Sequence, residues 1–292
     1  MITSNNSNNI FIAGMGRIGE ATLKLLLQWH QTENNHLNQI FCFDKPEVLE
    51  IFAKNNPELL NNHMIKLLPF DLNTATQKAI KASSNKNLIV INSLPCTFSS
   101  SLAALLQDKD SQISYFDYTE DLATARQIEE ISKQKISRFV PQCGLAPGFS
   151  AILGNYLIES LSHQDNLKLL VSVGALSDLN SADNDYRYAW SWSPEGVINE
   201  YFKKSEVIKN SQYLTVSSLD GLSNYHLKIN DQPYQLEGFY TSGGLGRLPE
   251  KIVEDFDNIN SVEYKSLRYP GHQKMMKIAT FLNDHPGNLT EK

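Results

Sequence analysis

Short apolar runs alternate with amphipathic stretches through the first half of the chain. A short apolar run predicts a buried strand, and apolar residues spaced three and four apart predict a helix that packs on it. The predicted strands are Asn9–Ala13, Gln39–Phe43, Met64–Leu68, Leu88–Asn92, Ile113–Phe116 and Ser137–Gln142. The predicted helices begin at Ile18 and Pro46 and cover Ala75–Lys81, Phe98–Gln107 and Leu122–Lys133. This alternation is typical of an α/β fold with a doubly wound parallel sheet.

The pattern changes after Gly148. A predicted helix over Phe149–Leu161 is followed by segments such as Lys168–Val173 and Tyr234–Tyr240, and a last helix covers His272–Leu282. Apolar and polar residues alternate in these segments, which predicts a mixed or antiparallel sheet. We therefore predict three parts: a first domain over residues 1–147, a second α+β domain for substrate and dimerisation over 148–265, and a C-terminal helix over 266–292 that packs back on the first domain.

The glycine-rich segment Gly14-Met15-Gly16-Arg17-Ile18-Gly19 follows the first predicted strand and opens the first predicted helix. In this setting a G-x-G-x-x-G motif is typical of a Rossmann domain that binds a dinucleotide. The first glycine allows a tight turn, the second lets the pyrophosphate approach, and the third lets the helix pack on the strand. The free N–H groups of the helix N-terminus would bind the phosphates. The alternative is a glycine-rich turn in an α/β protein that binds no dinucleotide.

Asp44 ends the second predicted strand, 25 residues after Gly19. An acidic side chain at this place accepts hydrogen bonds from the adenosine ribose hydroxyls, and it would repel a 2′-phosphate. NAD is therefore the predicted cofactor. The adjacent Lys45 could instead hold that phosphate, which keeps NADP as the alternative.

Two further loops follow strands at the carboxyl edge of the predicted sheet, where ligands of such folds bind. Asp71 follows the third strand and is a candidate contact to the adenine edge. Ser93, Leu94 and Pro95 follow the fourth strand and are candidate cofactor contacts. A helix cap or a turn explains each loop equally well.

The composition is that of a globular protein, with 41% hydrophobic and 20% charged residues. The net charge of −6 disfavours broad nucleic-acid binding, which needs a basic face. The three scattered cysteines imply neither a disulfide framework nor a zinc site, so we expect no metal. The N-terminus does not resemble a signal peptide, and no apolar stretch approaches the roughly 20 residues of a bilayer crossing. We expect a cytoplasmic protein without a membrane partner.

Four segments of the second half of the chain contain distinctive motifs. Gly144–Gly148 reads GxxPG, and Tyr188–Val197 contains a WS-x-EG stretch that continues through Glu200 and Tyr201. Glu237–Leu245 reads E-x-F-x-T-x-GG-x, and Leu267–His272 reads LRYPGH. Together with Gly14–Gly19 these motifs cover nearly the whole chain, and in this order they resemble those of the saccharopine dehydrogenase family, and within it of the lysine 6-dehydrogenase-like branch.

The resemblance implies an NAD(P)-dependent dehydrogenase that oxidises a C–N bond of an amino acid. The amine loses a hydride to the nicotinamide and becomes an imine. A homodimer is expected. Related reductases of the saccharopine and carboxynorspermidine type run the step backwards and join an amine to an aldehyde, which is the alternative within enzymes.

Two departures from the family favour a different alternative. The part after the LRYPGH helix is curtailed, and Ser172–Ser177 (SVGALS) stands where saccharopine reductases have Y-C-G-G-L-P. A non-catalytic dinucleotide-binding protein with a reduced substrate domain is therefore the competing hypothesis.

Amine oxidation by hydride transfer needs a group that takes the proton of the substrate ammonium. Asp117 and Tyr118 follow the fifth predicted strand, so Asp117 could accept this proton and Tyr118 could orient the amine or water. His272 could act near neutral pH. The structural alternatives are a helix-capping acid, a packing aromatic and a residue at a helix N-terminus.

The substrate carboxylate needs a cationic partner, and Arg268 could bind it in a bidentate pair. Thr241, Ser242 and Gly243 offer hydroxyls and backbone N–H groups for a carboxylate or the nicotinamide amide. A salt bridge and a plain turn are the respective alternatives. We expect the substrate to bind in a cleft between the two domains.

Overall fold

The computed structural model describes residues 8–33, 37–69, 71–83, 88–106, 113–133, 138–177, 184–189 and 194–284. Residues 190–193 of the Tyr188–Val197 motif, residues 285–292 of the predicted C-terminal part, and the ends Gln107 and Ser137 of two predicted elements lie outside these ranges. The chain forms two compact units, Met1–Gly144 and Leu145–Lys292, which divide close to the predicted boundary at residue 147.

The first unit alternates strands and helices in the predicted order. Its elements are β1 (Asn8–Ala13), α1 (Arg17–Glu33), β2 (Leu37–Asp44), α2 (Pro46–Asn55), α3 (Pro57–Leu60), β3 (Ile65–Pro69), α4 (Leu72–Ser83), β4 (Leu88–Asn92), α5 (Ser99–Leu105), β5 (Ile113–Asp117), α6 (Leu122–Ser132) and β6 (Arg138–Val140). A short 3-10 turn, Cys96–Phe98, precedes α5. Prolines begin α2 and α3, where the missing N–H breaks no helical hydrogen bond.

The six strands of the first unit form one parallel sheet in the order β3-β2-β1-β4-β5-β6. Strands β2 and β3 extend the sheet on one side of β1, and β4, β5 and β6 extend it on the other side. The position between β1 and β4 is therefore the topological switch point of a doubly wound fold. On β1, Phe11 and Ala13 belong to one apolar core while Ile10 and Ile12 belong to another. Because successive side chains point to opposite faces, both faces of the sheet are covered. The predicted Rossmann sheet is confirmed.

The second unit begins with a helix and is built on a second sheet. Its elements are α7 (Phe149–Ser160), β7 (Leu167–Val173), α8 (Pro194–Phe202), β8 (Ser205–Lys209), β9 (Gln212–Val216), β10 (Ser223–Ile229), β11 (Gln232–Tyr240), α9 (Leu248–Asp255), β12 (Ile259–Arg268) and α10 (His272–Asp284). Helix α10 lies in this unit and packs on α8. That the segment over 266–292 packs back on the first domain stays a prediction.

Strand β12 is the centre of the second sheet. It pairs in parallel with β7 along one edge, and antiparallel with β8 and then β11 along the other edge. Strand β9 extends the sheet beyond β8, and β10 extends it beyond β11. Val262 of β12 packs with Ile158 of α7 and Ile252 of α9 in a buried core. The predicted α+β unit on a mixed sheet is confirmed.

Candidate functional site

The loop between β1 and α1 is shaped by two glycines. Gly14 has a φ of +94°, and a Cβ there would lie 2.7 Å from the carbonyl carbon of Ser93. Gly19 lies in the first turn of α1, where a Cβ would come within 1.8 Å of the Gly14 carbonyl oxygen. The Gly14 N–H donates to the Phe43 carbonyl at 2.8 Å. The loop is therefore packed tightly against the ends of β2 and β4.

Gly16 differs from its two neighbours in the motif. A Cβ on Gly16 would meet nothing within 4 Å. Gly16, Arg17 and Ile18 are exposed, whereas Met15 is buried. The N-terminus of α1 thus opens onto free space at Gly16, and this cradle fits a pyrophosphate, which binds free N–H groups at the positive end of a helix dipole.

Asp44 lies at the carboxyl end of β2 and contacts the glycine loop directly. Its Oδ2 accepts a hydrogen bond from the Met15 N–H at 2.6 Å, and its Oδ1 accepts one from the Lys45 N–H at 2.7 Å. The Asp44 side chain is half-buried and Lys45 is exposed. The acid is therefore placed beside the loop as the prediction requires, and it also fixes the loop's backbone.

Asp71 caps helix α4. It accepts hydrogen bonds from the N–H groups of Asn73 and Thr74, at 3.0 and 3.4 Å, and from the Thr74 hydroxyl at 2.9 Å. These bonds, above all those from Thr74, lower the pKa of the exposed carboxyl. The capping alternative thus accounts for Asp71, and its contact to adenine stays a prediction.

The loop after β4 lies against the glycine loop. The Ser93 N–H donates to the Ala13 carbonyl at 2.6 Å, and the Leu94 N–H donates to Asn92 Oδ1 at 3.1 Å. Pro95 is exposed and leads into the 3-10 turn. Ser93 and Leu94 are therefore held next to Gly14, at the switch point where dinucleotides bind.

Asp117 is buried at the carboxyl end of β5, with 1% of its surface exposed. Its Oδ2 accepts from the Tyr115 hydroxyl at 2.9 Å, and its Oδ1 accepts from the N–H groups of Thr119 and Gln142 at 3.1 and 3.2 Å. Burial raises the pKa of the carboxyl, although these hydrogen bonds act to lower it. The carboxylate thus ties the loops after β5 and β6 together, and its role in proton transfer stays a prediction.

Three buried polar atoms at this edge of the sheet have no hydrogen-bond partner among the described residues. They are Ser93 Oγ, Thr119 Oγ1 and Gln142 Nε2. Gln142 also has a φ of +64°, which is uncommon for a residue other than glycine. The sequence does not indicate Thr119 or Gln142 as site residues, because only the fold brings the loops after β5 and β6 together.

The predicted site residue Tyr118 is half-buried, and its hydroxyl lies 3.1 Å from Thr22 Oγ1 on α1.

The second unit contains a buried polar group that we call the arginine cluster, formed by Tyr188, Glu200, Tyr201, Arg268 and His272. Arg268 ends β12 and is 3% exposed. Its Nε donates to the Tyr201 hydroxyl oxygen at 3.0 Å, and its Nη1 donates to the carbonyl of Leu267 at 2.9 Å. The guanidinium also lies 4.6 Å from the ring centroid of Tyr188. Arg268 is therefore engaged within the protein, and its contact to a substrate carboxylate stays a prediction.

His272 opens α10 and is 1% exposed. Its Nδ1 lies 2.6 Å from the Tyr186 carbonyl oxygen, and its Nε2 lies 2.9 Å from the Tyr201 hydroxyl. A carbonyl can only accept, so Nδ1 carries the proton and Nε2 accepts from Tyr201. Burial, followed by the charge of Arg268, lowers the pKa of His272 to about 4. The imidazole is neutral and is linked to Arg268 through one hydroxyl.

Glu200, on α8, is the member of the arginine cluster that titrates near neutral pH. It is 7% exposed, and burial raises its pKa to about 7 although the positive charge of Arg268 opposes the shift. Such a pKa is the property expected of a group that exchanges protons at physiological pH. Nothing in the local sequence pattern indicates that this glutamate is buried beside an arginine 68 residues further along the chain.

The predicted substrate loop lies next to the arginine cluster. The Ser242 N–H donates to the Glu200 carbonyl at 3.0 Å. Thr241 is buried, with its Oγ1 2.8 Å from Ser266 Oγ, and Gly243 has a φ of +81°. The structure therefore brings Arg268, His272 and the Thr241–Gly243 loop together within the second unit.

The described ranges contain no group of three or more His, Cys, Asp or Glu side chains that could hold a metal ion. Across the same ranges, none of the helices combines the length and apolarity of a membrane crossing.

The fold and the loop define the class of this protein. A doubly wound sheet with an open glycine cradle at its switch point is the dinucleotide-binding form of the Rossmann fold, and NAD(P) is the cofactor that fits it. Residues 144–292 match the family model of the saccharopine dehydrogenase C-terminal domain. This match spans half of the chain, and the chain belongs to the saccharopine dehydrogenase family.

The chain is similar to solved structures. The chain resembles saccharopine dehydrogenase (L-Glu forming) from Saccharomyces cerevisiae with a TM-score of 0.67 and 17% identity, over 94% of this chain and 58% of the yeast chain. It is also similar to scyllo-inositol dehydrogenase from Lactobacillus casei, with a TM-score of 0.45 and 10% identity, over 91% of this chain and 69% of that one. The chain thus spans 58% of the length of the yeast relative.

Proposed function

We propose that this protein is an NAD(P)-dependent oxidoreductase that acts on a C–N bond of an amino acid, as a lysine 6-dehydrogenase-like member of its family. The observation that carries the proposal is the loop after β1. A Cβ added to Gly14 or Gly19 would lie within 3 Å of backbone atoms, whereas a Cβ added to Gly16 would face open space at a helix N-terminus. This is the division of roles that a pyrophosphate-binding loop requires.

The cofactor would be held by the first unit. The backbone at Gly16 would bind the pyrophosphate, Asp44 the adenosine ribose, and the Ser93–Pro95 loop the nicotinamide half. Gln142 Nε2, Ser93 Oγ and Thr119 Oγ1 have no hydrogen-bond partner among the described residues, and they could bind the carboxamide of the nicotinamide, which has one acceptor oxygen and one donor NH₂ group. The chemistry that bound NAD(P) would supply is acceptance of a hydride from the carbon that bears the amine.

Asp44 supports NAD as the preferred cofactor. Its carboxylate lies at the carboxyl end of β2 beside the loop, where its negative charge would repel a 2′-phosphate. Lys45 is exposed next to it and could offset part of that repulsion.

The second unit would supply the groups that handle the amine and carboxylate of the substrate. We propose that Glu200 is the general base that accepts the proton of the substrate ammonium, because its pKa of about 7 suits this role. His272 and Asp117 are weaker candidates, since Nε2 of His272 already accepts from Tyr201 and both Asp117 oxygens accept hydrogen bonds. Arg268, at the centre of the cluster, would hold the carboxylate, with the Thr241–Gly243 loop beside it.

A second function is favoured by a specific observation. Asp117, Arg268 and His272 are each 3% exposed or less and are engaged in hydrogen bonds within the protein. Groups in this state serve structure well, so a dinucleotide-binding protein without dehydrogenase activity is the competing function.

Two measurements in sequence separate these functions. NADH is titrated into the protein and its fluorescence is followed; enhancement that saturates supports the cofactor site. Lysine, saccharopine and polyamines are then offered with NAD or NADP, and reduction of the nicotinamide is followed by absorbance. Saturable NADH binding without turnover of any amine would favour the binding-only function, and absence of NADH and NADPH binding would refute both.

A further inference from the structure

A chain of buried hydrogen bonds crosses the carboxyl ends of neighbouring strands in the first unit. It begins at Asn92, the last residue of β4, whose Oδ1 accepts from the Leu94 N–H at 3.1 Å. The Asn92 Nδ2 donates to the Tyr115 hydroxyl of β5 at 3.0 Å, and that hydroxyl donates to Asp117 Oδ2 at 2.9 Å. These bonds fix the loops after β4 and β5 relative to each other.

Asp117 extends this chain of hydrogen bonds to the loop after β6. Its Oδ1 accepts from the N–H groups of Thr119 and Gln142 at 3.1 and 3.2 Å, and its carbonyl oxygen accepts from the Cys143 N–H at 2.7 Å. The φ of +64° at Gln142 costs free energy in a residue with a side chain, so the surrounding bonds must hold it in place. Asp117 is therefore the residue that joins the loops after β5 and β6.

The unpartnered polar atoms at this edge of the sheet lie on or next to the residues that this chain of bonds fixes. Ser93 directly follows Asn92, and Thr119 and Gln142 are the two residues whose N–H groups bond to Asp117. Buried polar atoms without a partner among the described residues are satisfied when a ligand with matching groups binds. Under the proposed function, on which the inference below rests, that ligand is the carboxamide of the nicotinamide.

The Asp117 carboxylate also places a negative charge at this site. Its three side-chain hydrogen bonds come from two backbone N–H groups and a phenol hydroxyl, so none of these neutral donors cancels the charge. The nicotinamide ring is positively charged in NAD(P)⁺ and uncharged in NAD(P)H. We propose that Asp117 makes the site favour the oxidised cofactor, by attracting the cationic ring while it holds the loops that bind the carboxamide.

The test measures the affinities of NAD⁺, NADH and ADP-ribose for the full chain by titration calorimetry. Asp117→Asn removes the charge but keeps an oxygen that can accept from the N–H groups of Thr119 and Gln142. It should weaken NAD⁺ relative to NADH by about tenfold, the effect of a unit charge roughly 12 Å away at an effective dielectric constant of about 20. ADP-ribose lacks the nicotinamide and should bind as it does to the wild type. The ratio for NADP⁺ and NADPH should change in the same direction.

Asp121→Asn is the matched control. Asp121 is the N-cap of α6, and its carboxylate accepts from the N–H and the hydroxyl of Thr124 at 2.9 and 2.7 Å. Asparagine caps a helix as well as aspartate does, and Asp121 is partly exposed, so solvent screens its charge. The ratio of NAD⁺ to NADH affinity should therefore stay within error of the wild type.

A further ligand makes the test independent of how well the variant folds. The wild-type chain should bind NAD⁺ about tenfold more tightly than its uncharged isostere, in which a benzamide ring replaces the nicotinamide. Equal affinity for these two ligands, or an unchanged NAD⁺-to-NADH ratio in a folded Asp117→Asn variant, overturns the proposal but leaves cofactor binding intact. Loss of ADP-ribose binding in that variant also overturns it, since the effect would not be confined to the nicotinamide. A wild-type chain that binds none of the cofactors would refute the proposed function itself, and this proposal with it.

Discussion

Gly16 and Gly19 lie three residues apart, yet they have different reasons to be glycine. A Cβ on Gly16 enters open space, and a Cβ on Gly19 collides with the Gly14 carbonyl oxygen. We therefore expect Gly16→Val to weaken NADH binding by at least about tenfold, or 1.4 kcal/mol, with little change in stability. Gly19→Ala should lower the free energy of unfolding by about 1–3 kcal/mol or more. NADH fluorescence titration and urea denaturation measure the two effects; equal destabilisation by both changes would contradict this division of roles.

Asp44 combines two functions that one substitution can separate. Asp44→Asn removes the negative charge but keeps an oxygen that can accept from the Met15 N–H, whereas Asp44→Ala removes both. We expect Asp44→Asn to reduce the preference for NAD over NADP while the melting temperature is retained, because the charge repels the 2′-phosphate. Asp44→Ala should lose the preference and also loosen the loop. Equal wild-type affinity for NADH and NADPH would contradict the role of the charge and would point to Lys45.

His272 should remain neutral through the physiological pH range. Its folded-state pKa of about 4 lies below the ordinary value of 6.5, so the ring charges only in acid. The stability linked to this ring is fully present above pH 6.5 and is lost as the pH falls toward 4. NMR of the imidazole C–H signals, assigned with a His272→Gln variant, should give a midpoint near 4. A midpoint near 6.5 would show that the ring is open to solvent and would restore it as a proton acceptor.

At the scale of elements, Glu237 explains how α10 is attached to the sheet. It lies on β11, and its carboxylate accepts from the N–H groups of Gly271 and Gln273 at 2.9 and 2.6 Å, at the N-terminus of α10. Glu237→Ala removes the acceptor of both N–H groups, one of which, that of Gln273, is buried, so the free energy of unfolding should fall by about 1–3 kcal/mol. Glu254→Ala, which removes an exposed carboxylate from α9, should stay within about 0.5 kcal/mol of the wild type. Similar effects of the two changes would contradict the anchoring role.

Most elements of the first unit could be predicted because the central strands β1, β2 and β4 each contain a continuous apolar run. Strands β8, β9, β10 and β12 of the second unit are not predicted from the sequence. Of these, β9 is largely exposed and carries no clear apolar face. A usable signal was present in the turns. Asn210-Ser211 and Asn230-Asp231 each have two positive φ values, as a two-residue hairpin of type I′ requires.

For the whole molecule, the fold class and the glycine loop could be predicted from the sequence because both depend on local spacing. The arginine cluster could not, because its bonds join Tyr201 to residues 67 and 71 positions away. The sequence marks Arg268 and His272 as polar residues in a family-like motif. Only the sheet pairing of β12 and the position of α8 determine that they are buried together, and burial in turn determines their pKa values.

The proposed reaction needs a group that accepts the proton of the substrate ammonium, and we assign this role to Glu200. The pH dependence of kcat/KM tests this assignment. Glu200 must lose its proton before it can accept one from the substrate ammonium, so kcat/KM should rise with pH through about 7, the raised pKa of this carboxyl. Glu200→Gln should remove that rise and lower kcat/KM by about 10²–10⁴-fold, while NADH affinity stays within error.

Glu263→Gln is the control, because this acid of β12 lies outside the arginine cluster and accepts from the Tyr240 hydroxyl instead. It should keep the rise near pH 7. If the rise persists in Glu200→Gln, the proton is taken by another group or by water, and Glu200 then serves only to balance the buried charge of Arg268. In that case Glu200→Gln should be less destabilising at pH 8 than at pH 6, because the raised pKa means that the wild-type protein loses stability as this buried carboxyl ionises with rising pH, and glutamine does not ionise. The two measurements together decide whether the neutral-pH titration of the cluster belongs to chemistry or to stability.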